Sequence, residues 1–513
     1  MFVESCLHSL LQHWADVKPS APYLYYRDEI ITFSEVNDRA KALAAALWRS
    51  GIRPGDRVAV MMCNRPELVY AYFACFRLGV IAVPINTRYT QREAGYVLVN
   101  SGAAALIVSS QYFPLVQPLC RKGELHDHTI IVDGAKDGID HWVDYEAFIA
   151  DVETPAWPEV ELDAPAIMLH TSGSTARPKG VIHSHRTLFH AVRFNVELYD
   201  TSNLPTTAVY LSALYIGGIC LHLIRNAYAG CACALIEKRE IGELLNTIRK
   251  WKCSDLVLMP TDLVLLLEHP EAKTLDWSCV KVIMTGGDKA TPELHEKIEA
   301  LTGLSPLQGY GMTECVPIAA NSAQRPNVPG SMGPVVPGVE IELRLPDGGL
   351  APDGEIGDLW VKSPAIFVEY WNNPQVTAQT KCNGWLNTGD RARRDADGYY
   401  WFEGRSKLII VHHGSNIAPQ EVEEVLDHHP AVMSSCVVGL PDAIYGEKVC
   451  GIVELRPGQS VTEAELIDYA RHHIAAYKAP ESIILLERMP TNSSGKLDRA
   501  KMKQLALDSV AGA

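Results

Sequence analysis

Short apolar runs recur along the first three hundred residues, separated by helix-length amphipathic segments. This rhythm restricts the chain to a fold built on buried strands with covering helices. Residues 57–62, 80–83, 105–108, 129–132, 166–169, 256–259 and 280–284 are such runs. They show almost none of the polar alternation of a half-exposed strand, so both faces are expected to be covered, as in parallel sheets. Segments 39–49 and 67–78 have helical spacing, and strands alternating with helices imply an α/β fold. The most membrane-like stretch, 68–83, is broken by Arg77 and Gly79 and closed by Pro84. It therefore reads as helix, turn and strand, not as a span.

From 317 to 354 the texture changes to prolines, glycines and short strands such as 339–345, which predicts a β-rich subdomain. Past Arg405 a compact α+β pattern resumes, with helices at 419–429 and 462–477 and strands at 435–439 and 449–455. With 513 residues, 47% of them hydrophobic, the chain is long enough for two domains. The expected division is 1–404 and 405–513.

Directly behind the apolar run 166–169 stands Thr171-Ser172-Gly173-Ser174-Thr175-Ala176-Arg177-Pro178-Lys179-Gly180. Hydroxyls, a glycine and two cations at a strand end make a phosphate-holding loop. The spacing is not that of a Walker A loop, because Lys179 precedes Gly180 instead of following it. A plain Ser/Gly surface turn is the alternative reading. Further along, Gln308-Gly309-Tyr310-Gly311-Met312-Thr313-Glu314 offers an aromatic face, a hydroxyl and a carboxylate, suited to a base, a phosphate and Mg²⁺. Thr388-Gly389-Asp390 puts a carboxylate on a turn, where it can accept from ribose hydroxyls. Gly404-Arg405-Ser406-Lys407 and Ser493-Ser494-Gly495-Lys496 add cations. Taken singly, each of these is an ordinary turn or linker.

As an ordered set with Gly55-Asp56-Arg57, Asn64-Arg65-Pro66-Glu67, Gly286-Gly287-Asp288 and Gly354-Glu355-Ile356-Gly357, these motifs resemble the adenylate-forming superfamily. That superfamily includes acyl-CoA synthetases, adenylation domains and luciferases, and the likeness covers nearly the whole chain. It implies a large α/β domain with a β-rich subdomain and a small mobile α+β C-terminal domain. The implied reaction joins a carboxylic acid to AMP with release of pyrophosphate, then passes the acyl group to a thiol, with ATP, Mg²⁺ and coenzyme A taking part.

By the same resemblance, Thr171, Ser172, Gly173, Ser174, Thr175 and Lys179 hold the β and γ phosphates. Gly287, Asp288, Gly309, Gly311 and Met312 surround the nucleotide, and Tyr310 stacks on adenine. Thr313 contacts the α-phosphate and Glu314 ligates Mg²⁺, while Asp390 and Arg405 serve the ribose. Lys496 is the mobile catalytic lysine and Lys407 the hinge. Tyr215, Gly217 and Gly218 belong to the acyl pocket, and His413 and Gly414 to the CoA tunnel.

Two departures stand out. Ala176 replaces a loop glycine, and at φ > 0 an alanine would cost about 1 kcal/mol; His413 stands where many relatives have a second glycine. By the resemblance Tyr215 occupies a usual histidine position; it reads as an aromatic packed at the pocket wall before it reads as a gate or a partner for a polar substrate group. Cys220, Met312 and Val316 suggest an apolar fatty or aryl acid. Arg225 reads as a salt-bridged or snorkelling arginine before it reads as a partner for a second substrate carboxylate. His183 and His185 lack acidic or cysteine companions and read as helix-start or packing residues, not zinc ligands.

The segments 438–442, 445–448 and 477–480 resemble the acyl-CoA synthetase pattern, which implies CoA as acceptor. The alternatives are a stand-alone enzyme loading a separate carrier protein and a non-catalytic nucleotide-binding protein. Lys and Arg number 46 against 61 Asp and Glu, a net −15, which excludes a nucleic-acid surface. The first residues carry no basic and apolar leader, predicting a cytoplasmic protein, and thirteen cysteines without a C-x-x-C pair read as small buried apolar residues. A monomer and a homodimer are both compatible with the sequence.

Overall fold

The computed structural model describes residues 2–121, 129–133, 142–171, 178–288, 290–405, 409–442, 444–490 and 499–511. The chain divides into two compact units. One is made of 1–87, 98–170 and 180–404, the other of 88–97, 171–179 and 405–513.

Within the first unit, the apolar runs form two eight-stranded sheets among the described residues. The first follows the order Trp142–Asp144, Thr129–Val132, Ala105–Ser109, Arg57–Met61, Ile81–Pro84 and Pro165–Thr171, all parallel, then Lys179–Ser184 and the antiparallel edge Glu369–Tyr370. The second runs Glu29–Thr32, Pro22–Tyr26, Ala232–Leu235, Thr206–Val209, Asp255–Leu258, Val282–Gly286, Leu307–Met312 and Cys315–Ala320. It is parallel in its centre and antiparallel at both ends. Helices Phe33–Arg49 and Pro66–Leu78 cover the sheets. The second helix stops because Gly79 takes φ +64 and caps it, which turns the chain into Ile81–Pro84. The stretch that looked most membrane-like is thus a helix, a cap and a strand. Among the described residues no helix is long and apolar enough to cross a membrane.

The proline- and glycine-rich region contributes Gly333–Pro334 and Glu340–Arg344 to an antiparallel sheet with Gly357–Lys362, Trp385–Arg394 and Tyr399–Arg405. The second unit has its own sheet, Ser415–Ile417, Ile410–His412, Gly446–Leu455 and Val432–Asp442, with Ser482–Leu486 parallel to Gly446–Leu455. Helices Pro419–Asp427 and Glu463–His473 accompany it, and a separate apolar core lies between them. The fold is α/β with a β-rich subdomain and an α+β C-terminal portion.

Candidate active site

Leu307–Met312 and Cys315–Ala320 form an antiparallel hairpin in which Met312 faces Cys315, so Thr313 and Glu314 are its two-residue tip. Tips of this length ordinarily need a left-handed φ at one or both positions. Neither Thr313 nor Glu314 has a positive φ, and the tip is held from outside instead. His183 Nε2 lies 2.7 Å from the Thr313 carbonyl oxygen. The Phe367 N–H donates to the Glu314 carbonyl at 2.8 Å, and the Tyr370 hydroxyl donates to Glu314 Oε1 at 2.7 Å. The tyrosine is reached because Glu369–Tyr370 pairs with Val181 and Ile182 of the strand that also carries His183.

Tyr310, on the first arm of the hairpin, donates its hydroxyl to Asp390 Oδ2 at 2.6 Å. Asp390 is held on Trp385–Arg394 by its own N–H donating to Thr388 Oγ1 at 3.1 Å, while the Thr388 hydroxyl donates to Leu359 O at 2.8 Å. Gly286 pairs with Gly309 across adjacent parallel strands, and a Cβ on Gly286 would stand 2.7 Å from the Gly309 carbonyl oxygen. Gly287 then turns with φ +82, setting Asp288 just beyond the strand. Gly287, Asp288, Gly309, Tyr310, Gly311, Met312, Thr313, Glu314 and Asp390 are therefore gathered around the end of one sheet, where open α/β sheets bind ligands.

Thr171 ends its strand and Lys179 begins the next. Ser172, Gly173, Ser174, Thr175, Ala176, Lys407 and Lys496 lie outside the described residues. Arg405 is the last residue of Tyr399–Arg405.

The segment leading to Tyr215 is fixed by Asn64. Its amide nitrogen donates to the carbonyls of Val209 and Leu211, both at 3.0 Å, and its oxygen accepts from Ala213 N–H at 2.9 Å. The Tyr72 hydroxyl donates to Ala213 O at 2.6 Å. Tyr215 itself is 40% exposed, more than a packed wall residue would be. The two glycines that follow differ. A Cβ on Gly218 would fall 2.2 Å from the Ser212 carbonyl oxygen, whereas one on Gly217 meets nothing nearer than 4.0 Å. Gly218 is thus demanded by the chain packing on itself, and the free space belongs to Gly217. Gly218→Ala is expected to destabilise the protein by about 1–3 kcal/mol while Gly217→Ala leaves the thermal midpoint close to wild type; equal midpoints would contradict this packing. Arg225 is fully buried, with Nη2 2.6 Å from both Asp255 Oδ2 and Thr207 Oγ1. It is a salt-bridged core arginine.

The site's architecture has counterparts. Residues 11–371 match the model of the AMP-binding enzyme family, and 421–496 match the AMP-binding enzyme C-terminal domain. The chain belongs to the AMP-binding enzyme family. Feruloyl-CoA synthase of Amycolatopsis is 31% identical over 96% of this chain and 97% of its own. Indoleacetate–CoA ligase of Aromatoleum aromaticum is 27% identical over 96% and 98%. Among solved structures, the amide bond synthetase McbA from Marinactinospora thermotolerans superposes with a TM-score of 0.88 at 26% identity, covering 98% of this chain and 99% of that one. This AMP-binding enzyme is of the acid–thiol ligase class.

The second unit of the AMP-binding enzyme has a two-residue tip whose own angles suit the turn, with the His413 N–H also donating to the Tyr445 carbonyl at 2.9 Å. His413 and Gly414 join Ile410–His412 to Ser415–Ile417 with φ +49 and +69, the left-handed pair expected of such a turn. Histidine tolerates this region better than bulkier residues. The position explains why a glycine would also serve. Arg88, His412, His413, Ser415, Tyr445, Tyr477 and Glu481 line a groove of about 400 Å³ beside it.

Burial governs protonation in the AMP-binding enzyme. Desolvation pushes His183 down to about 4, so its ring is neutral near pH 7. A carbonyl only accepts, so Nε2 carries the proton, and Nδ1, 3.1 Å from Thr187 Oγ1, is the acceptor. Tyr370 is pushed well above its ordinary value by burial and by Glu314, so it stays a donor. Burial also lowers His8 and His170 to about 4 and His185 and His222 to about 3. With native values below the unfolded 6.5, the unfolded chain takes up protons that the native state refuses. Stability is therefore whole above pH 6.5 and falls as pH drops toward 4, with each refused proton shifting the folding constant about tenfold per pH unit. Denaturant midpoints at pH 7 and pH 5 check this; a flat profile would contradict it.

His183 and Tyr370 were not singled out as site residues by sequence. The sequence marks His183 only as a helix-start or packing residue beside the phosphate loop, whereas it lies on the strand Lys179–Ser184 and His185 begins the helix; nothing local marks Tyr370.

Proposed function

We propose that this AMP-binding enzyme is an ATP-dependent carboxylic acid–CoA ligase acting in the cytoplasm on an apolar fatty or aryl acid. The observation that carries this reading is the hairpin Leu307–Ala320. It presents one aromatic ring, one hydroxyl and one carboxylate in sequence, and its ring is bonded to a second carboxylate, Asp390. The named activities of the relatives above support it.

In this reading the acid's carboxylate oxygen attacks the α-phosphorus of ATP, pyrophosphate leaves, and the CoA thiol then displaces AMP from the acyl-adenylate. Tyr310 presents its face to adenine, and Asp390 accepts from the ribose hydroxyls. Thr313 donates to an α-phosphate oxygen. The loop from Thr171 to Lys179 holds the departing pyrophosphate, and Lys496 neutralises charge building at the α-phosphate. Lys407 is the hinge that removes Lys496 before thiol attack, with His413 and Gly414 on the thiol's path and Tyr215 and Gly217 at the acyl tail.

Mg²⁺ fits the residues present. Mg²⁺ is commonly held by one carboxylate together with substrate phosphates, and Glu314, anchored by the Tyr370 hydroxyl, offers one. When bound it would offset phosphate charge.

The test is pyrophosphate release across a panel of aryl and fatty acids, with CoA present or absent. Acid-dependent release with CoA-dependent formation of AMP and thioester is expected. No acid-dependent release from any acid would overturn the reading, and adenylation without a CoA product would point to a carrier protein as acceptor.

A further inference from the structure

Neither residue of the Thr313–Glu314 tip has the left-handed φ that the commonest two-residue hairpin turns use, and both of its carbonyls are bonded by donors from other segments. Among the described residues, His183 is the side chain that reaches the Thr313 carbonyl. It sits on Lys179–Ser184, the strand that follows the phosphate loop in sequence, and is 130 residues from its acceptor. The imidazole is 1% exposed and bonded at both nitrogens, to Thr313 O at 2.7 Å and Thr187 Oγ1 at 3.1 Å. The same strand also pairs with Glu369–Tyr370, whose tyrosine holds the Glu314 carboxylate.

We propose that His183 is a positioning residue for adenylation: its Nε2–H fixes the Thr313 carbonyl and so sets the direction in which the Thr313 hydroxyl and the Glu314 carboxylate face the nucleotide. This rests on the ligase reading above. The physical requirement is a donor at the Nε2 position, not an imidazole as such. A buried donor of this kind cannot be replaced by water when it is removed, so the carbonyl is left unpaired and the tip relaxes. A small misplacement of reacting groups is enough to slow chemistry strongly.

Three variants separate positioning from packing. His183→Leu fills the space without a donor, and His183→Asn keeps a polar partner for Thr187 but falls short of Thr313. His183→Gln carries its amide N–H out to about the Nε2 position. The measurement is ATP–pyrophosphate exchange per folded protein with the best acid of the panel, with kcat and the KM for ATP and acid determined separately. H183L and H183N are expected to lose about 10- to 100-fold in kcat with KM changed little, and H183Q is expected to stay within about threefold of wild type. Wild-type kcat in H183N or H183L would overturn the proposal, and so would H183Q as slow as H183N. If H183L fails to fold, the comparison of H183N with H183Q decides alone. Failure of the ligase reading is distinguishable, because wild-type protein would then show no exchange with any acid.

Discussion

Lys496→Ala is expected to lower acid-dependent ATP–pyrophosphate exchange by about 10²- to 10³-fold, the usual loss when a preorganised electrostatic partner is removed from a transition state. As the carboxylate approaches the α-phosphorus, two anionic groups are brought together and charge gathers on the phosphate oxygens. A lysine placed between them offsets both repulsions, whereas the protein as a whole, at net −15, opposes them. The second half-reaction needs no such bridge, since AMP leaves from an adenylate already formed. Thioester formation from supplied acyl-adenylate and CoA is therefore expected to continue near the wild-type rate in the same variant. Normal exchange in Lys496→Ala would remove this lysine from the chemistry. Loss of both half-reactions would assign it to binding. Lys496→Arg, which keeps the charge on a longer planar fork, is expected to recover only part of the rate.

Glu314→Gln is expected to cost a similar 10²- to 10³-fold in exchange, about the loss seen when one charged partner of a polar transition state is neutralised. The substitution is informative because it changes charge without removing the anchor. The Tyr370 hydroxyl donates to Glu314 Oε1 at 2.7 Å, and the Phe367 N–H donates to the Glu314 carbonyl at 2.8 Å. A glutamine oxygen accepts the same tyrosine bond, so the tip keeps its shape while the hard anionic oxygen is lost. The rate is then expected to depend more steeply on Mg²⁺ concentration, which a Mg²⁺ titration of exchange measures. An unchanged rate and unchanged Mg²⁺ dependence would assign Glu314 a structural part only. Tyr370→Phe, which frees the carboxylate but keeps its charge, is expected to have the milder effect.

Much of the scaffold was legible because its signals are local. Runs 57–62 and 105–108 appear as Arg57–Met61 and Ala105–Ser109, within a residue at each end, because an apolar run bounded by turn residues can only be buried whole. Helix 462–477 was read too long. It ends at His473, with Ile474 in extended conformation, since the apolar spacing past that point belongs to a turn packed on the same core. The order of polar motifs along the chain marked the candidate site. What holds those motifs in place was not visible.

The sequence by itself determined the buried-strand rhythm and the residue types offered to a nucleotide, because each depends on a few neighbours, and the order of its motifs along the whole chain pointed to the family. Only the tertiary structure decided that Tyr310 is bonded to Asp390 across 80 residues, Glu314 to Tyr370 across 56, and Thr313 to His183 across 130. It also separated two hairpin tips of equal length, one with left-handed angles at His413 and Gly414, the other without them and with its carbonyls bonded by donors from distant strands. The reason is physical. A turn that meets its own backbone preferences is written locally, while one that does not is set by whichever buried donors the packed sheets bring to it.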